Sequence, residues 1–141
     1  MSANLFIDTY VFVYHLDSSD KRKHRIAEDI VRDGLTGGRA CISFQVVQEC
    51  LNVALRKAAV PLTTEQAHSY LDVVLLPLMQ VQPSAALYHR ALDVQQRWRF
   101  GFYDSLIVAA ALAAGCTQLL SEDLQHGQRI DALVIHNPFA T

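Results

Sequence analysis

Leu5-Phe6-Ile7-Asp8 is a run of three apolar side chains closed by a carboxylate. A short run without alternation reads as a strand buried on both faces. Strands of that kind belong to parallel sheets covered by helices. Asp8 then stands at the carboxyl end of the strand, where open α/β sheets place their ligands.

Reading outward, the same grammar repeats. Asn4–Asp8 is predicted as the first strand. Val11-Phe12-Val13-Tyr14 either continues it or starts a short helix, and periodicity alone does not decide. Asp20 to Leu35 reads as a helix with Ile26, Ile30 and Val31 on one face, ended by Gly34, Gly37 and Gly38. Ala40–Ile42 is a second strand, and Ser43 is a candidate N-cap for a helix running to about Ala58. Thr63 or Thr64 starts the next helix, with Thr63 as the cap and Gln66 three residues on, and this helix ends near Leu76-Pro77. Met79–Val81 is a third strand. Pro83 or Ser84 opens a helix to about Trp98. Tyr103 to Ala114 is another, with Gly115 suited to a left-handed C-cap. Gln118–Ser121 and Leu133–His136 complete the strands. Strands alternating with helices imply a parallel sheet with right-handed crossovers.

With 141 residues, one domain over residues 1–141 is the expectation. Half of the residues are hydrophobic (51%) and 18% are charged, which fits a packed core and excludes a disordered chain. No apolar stretch approaches the roughly 20 residues of a membrane span. Met1-Ser2-Ala3-Asn4 runs straight into the first strand without a signal-peptide pattern, so the expected location is cytoplasmic. Cys41, Cys50 and Cys116 form no CxxC pair and read as small buried hydrophobes. The six histidines show no zinc pattern. A net charge of −2 gives no general attraction to nucleic acid, although local basic groups and a metal can supply one.

Four acids sit at or near element boundaries: Asp8, Glu49, Asp104 and Asp123. Each has a plain structural alternative. Asp8 can cap the next element. Asp104 can meet the positive end of its helix. Glu49 lies with Gln45, Asn52 and Arg56 opposite the apolar stripe Val47, Leu51, Ala54, Leu55 and Ala58, where a solvated glutamate is ordinary. Asp123 belongs to a turn, and its neighbour Glu122 can take its place. Gathered carboxylates repel one another unless protons or a cation neutralise them. Mg²⁺ or Mn²⁺ is the natural occupant of such a set, and phosphodiester hydrolysis its natural chemistry.

The four acids also fall within four ordered motifs. Phe6-Ile7-Asp8-Thr9-Tyr10-Val11-Phe12-Val13-Tyr14, Val46-Val47-Gln48-Glu49-Cys50-Leu51-Asn52-Val53, Tyr103-Asp104-Ser105-Leu106-Ile107-Val108-Ala109-Ala110-Ala111 and Leu119-Leu120-Ser121-Glu122-Asp123-Leu124-Gln125-His126-Gly127 follow one another along the chain, which closes on Asn137-Pro138-Phe139. Together they resemble PIN-domain ribonucleases, most of all the VapC-type toxins of bacterial toxin–antitoxin pairs. The resemblance implies a three-layer α/β/α, Rossmann-like fold with a central parallel sheet. It implies a metal-dependent endoribonuclease in which Asp8, Glu49, Asp104 and Asp123 hold one or two Mg²⁺ or Mn²⁺ ions. It further implies an RNA substrate, a cognate antitoxin protein and a homodimer, with no membrane partner. Thr9 and Ser121 are placed to hydrogen-bond the ligating carboxylates, or are simply turn residues.

The chain departs from that pattern at position 10. The family usually carries Asn there, whose amide bonds a carboxylate or a bound water through both ends. Tyr10 is larger, and its one hydroxyl lies farther from the backbone. It is expected either to displace a ligand or to point away and leave the support incomplete. Tyr10 is then either a natural variant with lowered or altered activity or a change that lets a toxic nuclease be produced. The alternatives are a catalytically weakened module that binds RNA or antitoxin, and a Mg²⁺-dependent phosphatase. Two other segments stand out. Lys21-Arg22-Lys23-His24-Arg25 either contacts phosphates or forms a solvated helix face. Arg97-Trp98-Arg99-Phe100-Gly101-Phe102-Tyr103 interleaves cations with aromatics just before Asp104, as base-stacking segments do, or packs inward.

Overall fold

The computed structural model describes residues 4–56 and 61–141. β1 (Leu5–Ile7) leads through Asp8 into α1 (Thr9–Leu16), then α2 (Lys21–Gly37), β2 (Ala40–Ser43) and α3 (Phe44–Arg56). α4 (Thr64–Tyr70) continues through a π-helical turn (Leu71–Leu75) into α5 (Leu76–Leu78) and β3 (Met79–Val81). α6 (Ala85–Trp98), α7 (Phe102–Ala113), β4 (Gln118–Leu120), β5 (Arg129–Ile130) and β6 (Leu133–His136) follow. The expected extension of α3 to Ala58 lies, at residues 57 and 58, outside the described residues.

The strands form one six-stranded sheet in the order β3-β2-β1-β4-β6-β5. From β1 the chain winds outward through β2 to β3. It then crosses back through α6 and α7 to place β4 on the other side of β1. The topological switch point therefore lies between β1 and β4, and their carboxyl ends border a crevice. α1 packs on α2 and α3, α6 packs on α7, and the sheet lies between the layers. Phe6, Ile7, Ile42, Leu119 and Ile135 are fully buried, as continuous apolar strands between two helical layers must be.

The expected parallel sheet is found, with one addition. β5 pairs antiparallel with β6, through Arg129 opposite Val134 and Ile130 opposite Leu133. A two-residue strand carries no periodicity to read. Its signal is the turn at Asp131-Ala132, where Asp131 takes a positive φ of 53°, the backbone state of tight hairpin turns.

Several local expectations are met. Thr63 and Gln66 form a reciprocal capping box, Ser84 caps α6 through the Leu87 amide, and Gly115 has a φ of 75°. Val11–Tyr14 is helical, because Asp8 turns the chain: its carboxylate accepts the Thr9 amide at 2.7 Å and caps α1.

Two expectations are corrected. Ser43 does not cap α3; it is the last residue of β2, held opposite Val81, and its buried hydroxyl finds no hydrogen-bond partner among the described residues. The buried stripe of α3 is Val46, Cys50 and Ala54, with Gln45 beside it, while Leu55 is 42% exposed. Of the predicted stripe, Ala54 is buried and Val47 and Leu51 pack partly buried against the core, so the buried face is shifted toward Val46 and Cys50 and leaves Leu55 outside it. Val47, Leu51 and Leu55 form an equally regular i, i+4 series, so periodicity could not choose between the two.

α2 crosses β2 closely at Gly34. A Cβ there would sit 3.1 Å from Ala40 Cβ and 3.6 Å from Ile7 Cδ1. Gly34 is therefore a contact residue within α2 and does not end the helix as expected; the helix runs on to Gly37 and is ended by Gly38, at a φ of 68°. Gly34→Leu is expected to overpack this crossing and destabilise the fold by about 1–3 kcal/mol, read as a lower urea midpoint. An unchanged midpoint would show that the crossing yields freely.

Candidate active site

Four separate elements deliver the four acids to one cavity. Asp8 follows β1, Glu49 lies in the middle of α3, Asp104 is in the first turn of α7, and Asp123 follows β4. All four line a single cavity of about 190 Å³ together with Thr9, Tyr10, Gln45 and Asn52.

Asp8 is the buried member. Its Oδ1 accepts the Thr9 amide, and its Oδ2 accepts the Ser121 hydroxyl at 2.8 Å. Ser121 is fully buried, and its amide donates to the His136 carbonyl, which fixes the end of β4 against β6. The Thr9 hydroxyl donates to Glu49 Oε1 at 3.1 Å and so ties α1 to α3. Both hydroxyls are engaged with carboxylates of the site. Gln45, buried on the same helix as Glu49, donates Nε2 to the carbonyl of Tyr103 at 3.1 Å. That bond holds the first turn of α7, and with it Asp104, against α3.

Burial dominates the electrostatics. It pushes the Asp8 carboxyl up to about 6, against the Thr9 and Ser121 hydrogen bonds, and the charges of Glu49 and Asp123 add to the rise. Glu49 is raised by loss of hydration and by Asp104 and Asp123, opposed by the Thr9 hydroxyl and the Gln45 amide. Asp104 is raised by loss of hydration despite its place at a helix N-terminus. Asp123 is raised by the same cause, then by Asp104 and Glu122. Every member of the set holds its proton more tightly than usual, first through burial, and among the described residues lining the cavity there is no Lys, Arg or His to oppose it.

Glu122, the alternative to Asp123, is engaged elsewhere. Its carboxylate takes the Lys23 ammonium at 2.7 Å and the Tyr14 hydroxyl at 2.6 Å. Lys23 also lies over the Tyr14 ring, and Arg22 donates to the carbonyls of Phe139 and Ala140. Part of the basic run at 21–25 thus locks α2 to the chain end and to the turn after β4. With Glu122 tied back, Asp123 is the acid that reaches the cavity.

Tyr10 displaces none of the acids. It lines the cavity beside them at 39% exposure, tilted against Tyr14 with ring centroids 6.2 Å apart. No hydrogen bond to its hydroxyl is found among the described residues, so it gives the carboxylates no support of the kind an amide would. The aromatic segment before Asp104 divides. Trp98 and Phe100 pack on the core, whereas Phe102 and Tyr103 are exposed. Sequence reasoning passed over Gln45, set among surface residues by the shifted stripe.

The donor set suits a hard divalent cation: acceptor-only carboxylates around a water-sized space. Among the described residues no three of these groups stand as a ready-made ligand cluster. The fit is therefore to an ion that keeps much of its water and takes one or two carboxylates directly, as Mg²⁺ does.

A family model described as PIN domain matches residues 5–131. The chain belongs to the PIN domain family. No curated protein matches it. Among solved structures, this PIN domain is similar to a toxin–antitoxin complex from Klebsiella pneumoniae, at 17% identity over 99% of this chain and 100% of that one, with a TM-score of 0.68. The DNA-bound VapBC of Salmonella typhimurium matches at 18% identity over 96% and 98% of the two chains, with a TM-score of 0.68. Mycobacterium tuberculosis VapC20, described as a sarcin-ricin loop cleaving toxin, matches at 18% identity over 85% and 90%, with a TM-score of 0.61. Similarity at these identities establishes the shared fold. Among the described residues no helix is long and apolar enough to cross a membrane.

The raised Asp8 pKa makes a stability prediction for the metal-free protein. The folded state binds that proton more tightly than the unfolded chain between about pH 4 and 6. The associated stability is complete below the unfolded value and is lost as pH rises through about 6, by about 3 kcal/mol. In EDTA, Asp8→Asn should raise the urea midpoint at pH 7.5 and lose that advantage toward pH 4. A variant destabilised equally at both pH values would contradict the assignment.

Proposed function

We propose that this PIN domain is a metal-dependent endoribonuclease and the toxin of a toxin–antitoxin pair, its activity lowered by Tyr10. The carrying observation is the convergence of Asp8, Glu49, Asp104 and Asp123 in one cavity with no cationic side chain among the described residues that line it. The four acids would hold one or two Mg²⁺ or Mn²⁺ ions. The chemistry such an ion supplies is a more acidic water and neutralisation of charge on the phosphoryl oxygens. The protein's own part is placement. Thr9 and Ser121 fix both oxygens of Asp8, Thr9 orients Glu49, and Gln45 holds the turn that carries Asp104. The description of VapC20 as a loop-cleaving toxin supports an RNA substrate, and the complexes among the similar structures support an antitoxin partner. A Lys or Arg of the antitoxin would find in this cavity the charge that its walls lack. A homodimer is part of the same reading.

The test is cleavage of structured RNA with Mg²⁺, Mn²⁺ or EDTA. Cleavage should need the metal and fall about a hundredfold or more in Asp8→Ala, at or beyond the loss typical when a support of a metal ligand is removed. Tyr10→Asn should raise the rate. Equal rate and equal metal affinity in the unaltered protein and the Tyr10→Asn variant would remove the role given to Tyr10. RNA binding without cleavage in every variant would favour the binding module. Hydrolysis of small phosphomonoesters but not RNA would favour the phosphatase.

A further inference from the structure

Phe102 and Tyr103 open α7 immediately before Asp104. Large aromatic side chains normally lose water on folding, yet Tyr103 remains 70% exposed and Phe102 36%. Their rings meet edge to face with centroids 5.5 Å apart, a geometry that fixes one ring against the other. No hydrogen bond to the Tyr103 hydroxyl is found among the described residues. The backbone beneath the pair is not loose, because the Tyr103 carbonyl accepts the buried Gln45 amide at 3.1 Å. A rigid, solvent-facing aromatic pair thus stands one residue from an acid of the cavity. Neither ring lines the cavity itself; the pair stands in the same first turn of α7 that carries Asp104, on the adjoining face of the helix.

The connection leading to the pair adds a cation. Arg99 ends α6 in the left-handed conformation, with φ of 65°, and is exposed without an ion pair among the described residues. Its neighbour Arg97 is occupied with Trp98 and Asp131. Exposed aromatics that follow a spare cation along the same short connection supply the two groups that unpaired nucleotides use, the ring taking a base and the cation a phosphate.

We infer that Tyr103, backed by Phe102, is the stacking platform that seats an unpaired base of the substrate next to the acid cavity, with Arg99 taking an adjacent phosphate. This rests on the ribonuclease reading and narrows it to single-stranded segments, since a paired base has no open face to stack. Tyr103 is a positioning residue here: its ring places the strand, and the acids act on it.

The test uses the whole protein and a short unstructured RNA carrying one 2-aminopurine, mixed in Ca²⁺ to follow binding and in Mg²⁺ to follow cleavage. Binding to the unaltered protein should quench the fluorophore. Tyr103→Ala should abolish the quench, weaken binding about tenfold and lower kcat/KM on this RNA. Tyr103→Phe and Tyr103→Trp should retain both signals, since stacking needs the ring and not the hydroxyl. Arg99→Gln should flatten the salt dependence of binding by about one phosphate contact. Tyr103 is exposed and its ring meets that of Phe102, itself at the surface, so the Ala variant should keep the thermal midpoint, and that midpoint is the folding control. Equal quench and cleavage in Tyr103→Ala would overturn the platform and leave the ribonuclease reading standing. A change in sedimentation with RNA binding untouched would overturn it in favour of a protein interface. An unaltered protein that neither binds nor cuts RNA would overturn both.

Discussion

Carboxylates gathered and buried together, with no counter-charge among the described residues beside them, are the constraint around which this molecule is arranged. Asp8, Glu49, Asp104 and Asp123 share one cavity, and each carboxyl is held above its ordinary range. A protein seeking only stability would place a Lys or Arg among them. One is close by: Lys23 reaches the residue next to Asp123, yet it is bound there to Glu122. Among the described residues the cavity offers no such partner, which leaves the set to protons or to a cation from outside the chain.

The fold keeps the acids together by giving each to a different element. The sheet's winding reverses between β1 and β4, which sets Asp8 and the start of the Asp123 turn side by side. α3 and α7 then bring Glu49 and Asp104 over the crevice. Three polar contacts cross between these elements: Ser121 to Asp8, Thr9 to Glu49, and Gln45 to the Tyr103 carbonyl. Each engages a different pair of segments, so the repulsion is resisted by the framework as a whole. The same Gln45 contact steadies the exposed Tyr103, which couples the acid cavity to the surface beside it.

Much of this was legible from the chain. Leu5-Phe6-Ile7-Asp8 announced a buried strand ending in a functional acid, because a short unbroken apolar run has few other uses. Thr63, Ser84 and Gly115 marked their helix ends through local chemistry that tertiary structure did not override. Three features were not legible. The two residues of β5 are too few for a pattern. The buried face of α3 was misjudged because Val46-Cys50-Ala54 and Val47-Leu51-Leu55 have the same spacing, and only packing against α1 and β2 chooses between them. Gln45 was lost with that face: a polar residue read as solvated is in fact buried, donating to a carbonyl 58 residues away. Position 10 gave a mixed result. The sequence marked Tyr10 as unusual, and the structure sets it in the cavity wall without moving an acid.

Proton release on metal binding tests the central claim most directly. Mn²⁺ titrated calorimetrically into metal-free protein, in buffers of different ionisation enthalpy, reports how many protons leave as the ion enters. With Asp8 at about 6, binding at pH 6 should expel about half a proton from that carboxyl, and binding at pH 8 almost none. The same proton count at both pH values, or no binding at either, would contradict an acid cavity held in wait for a cation.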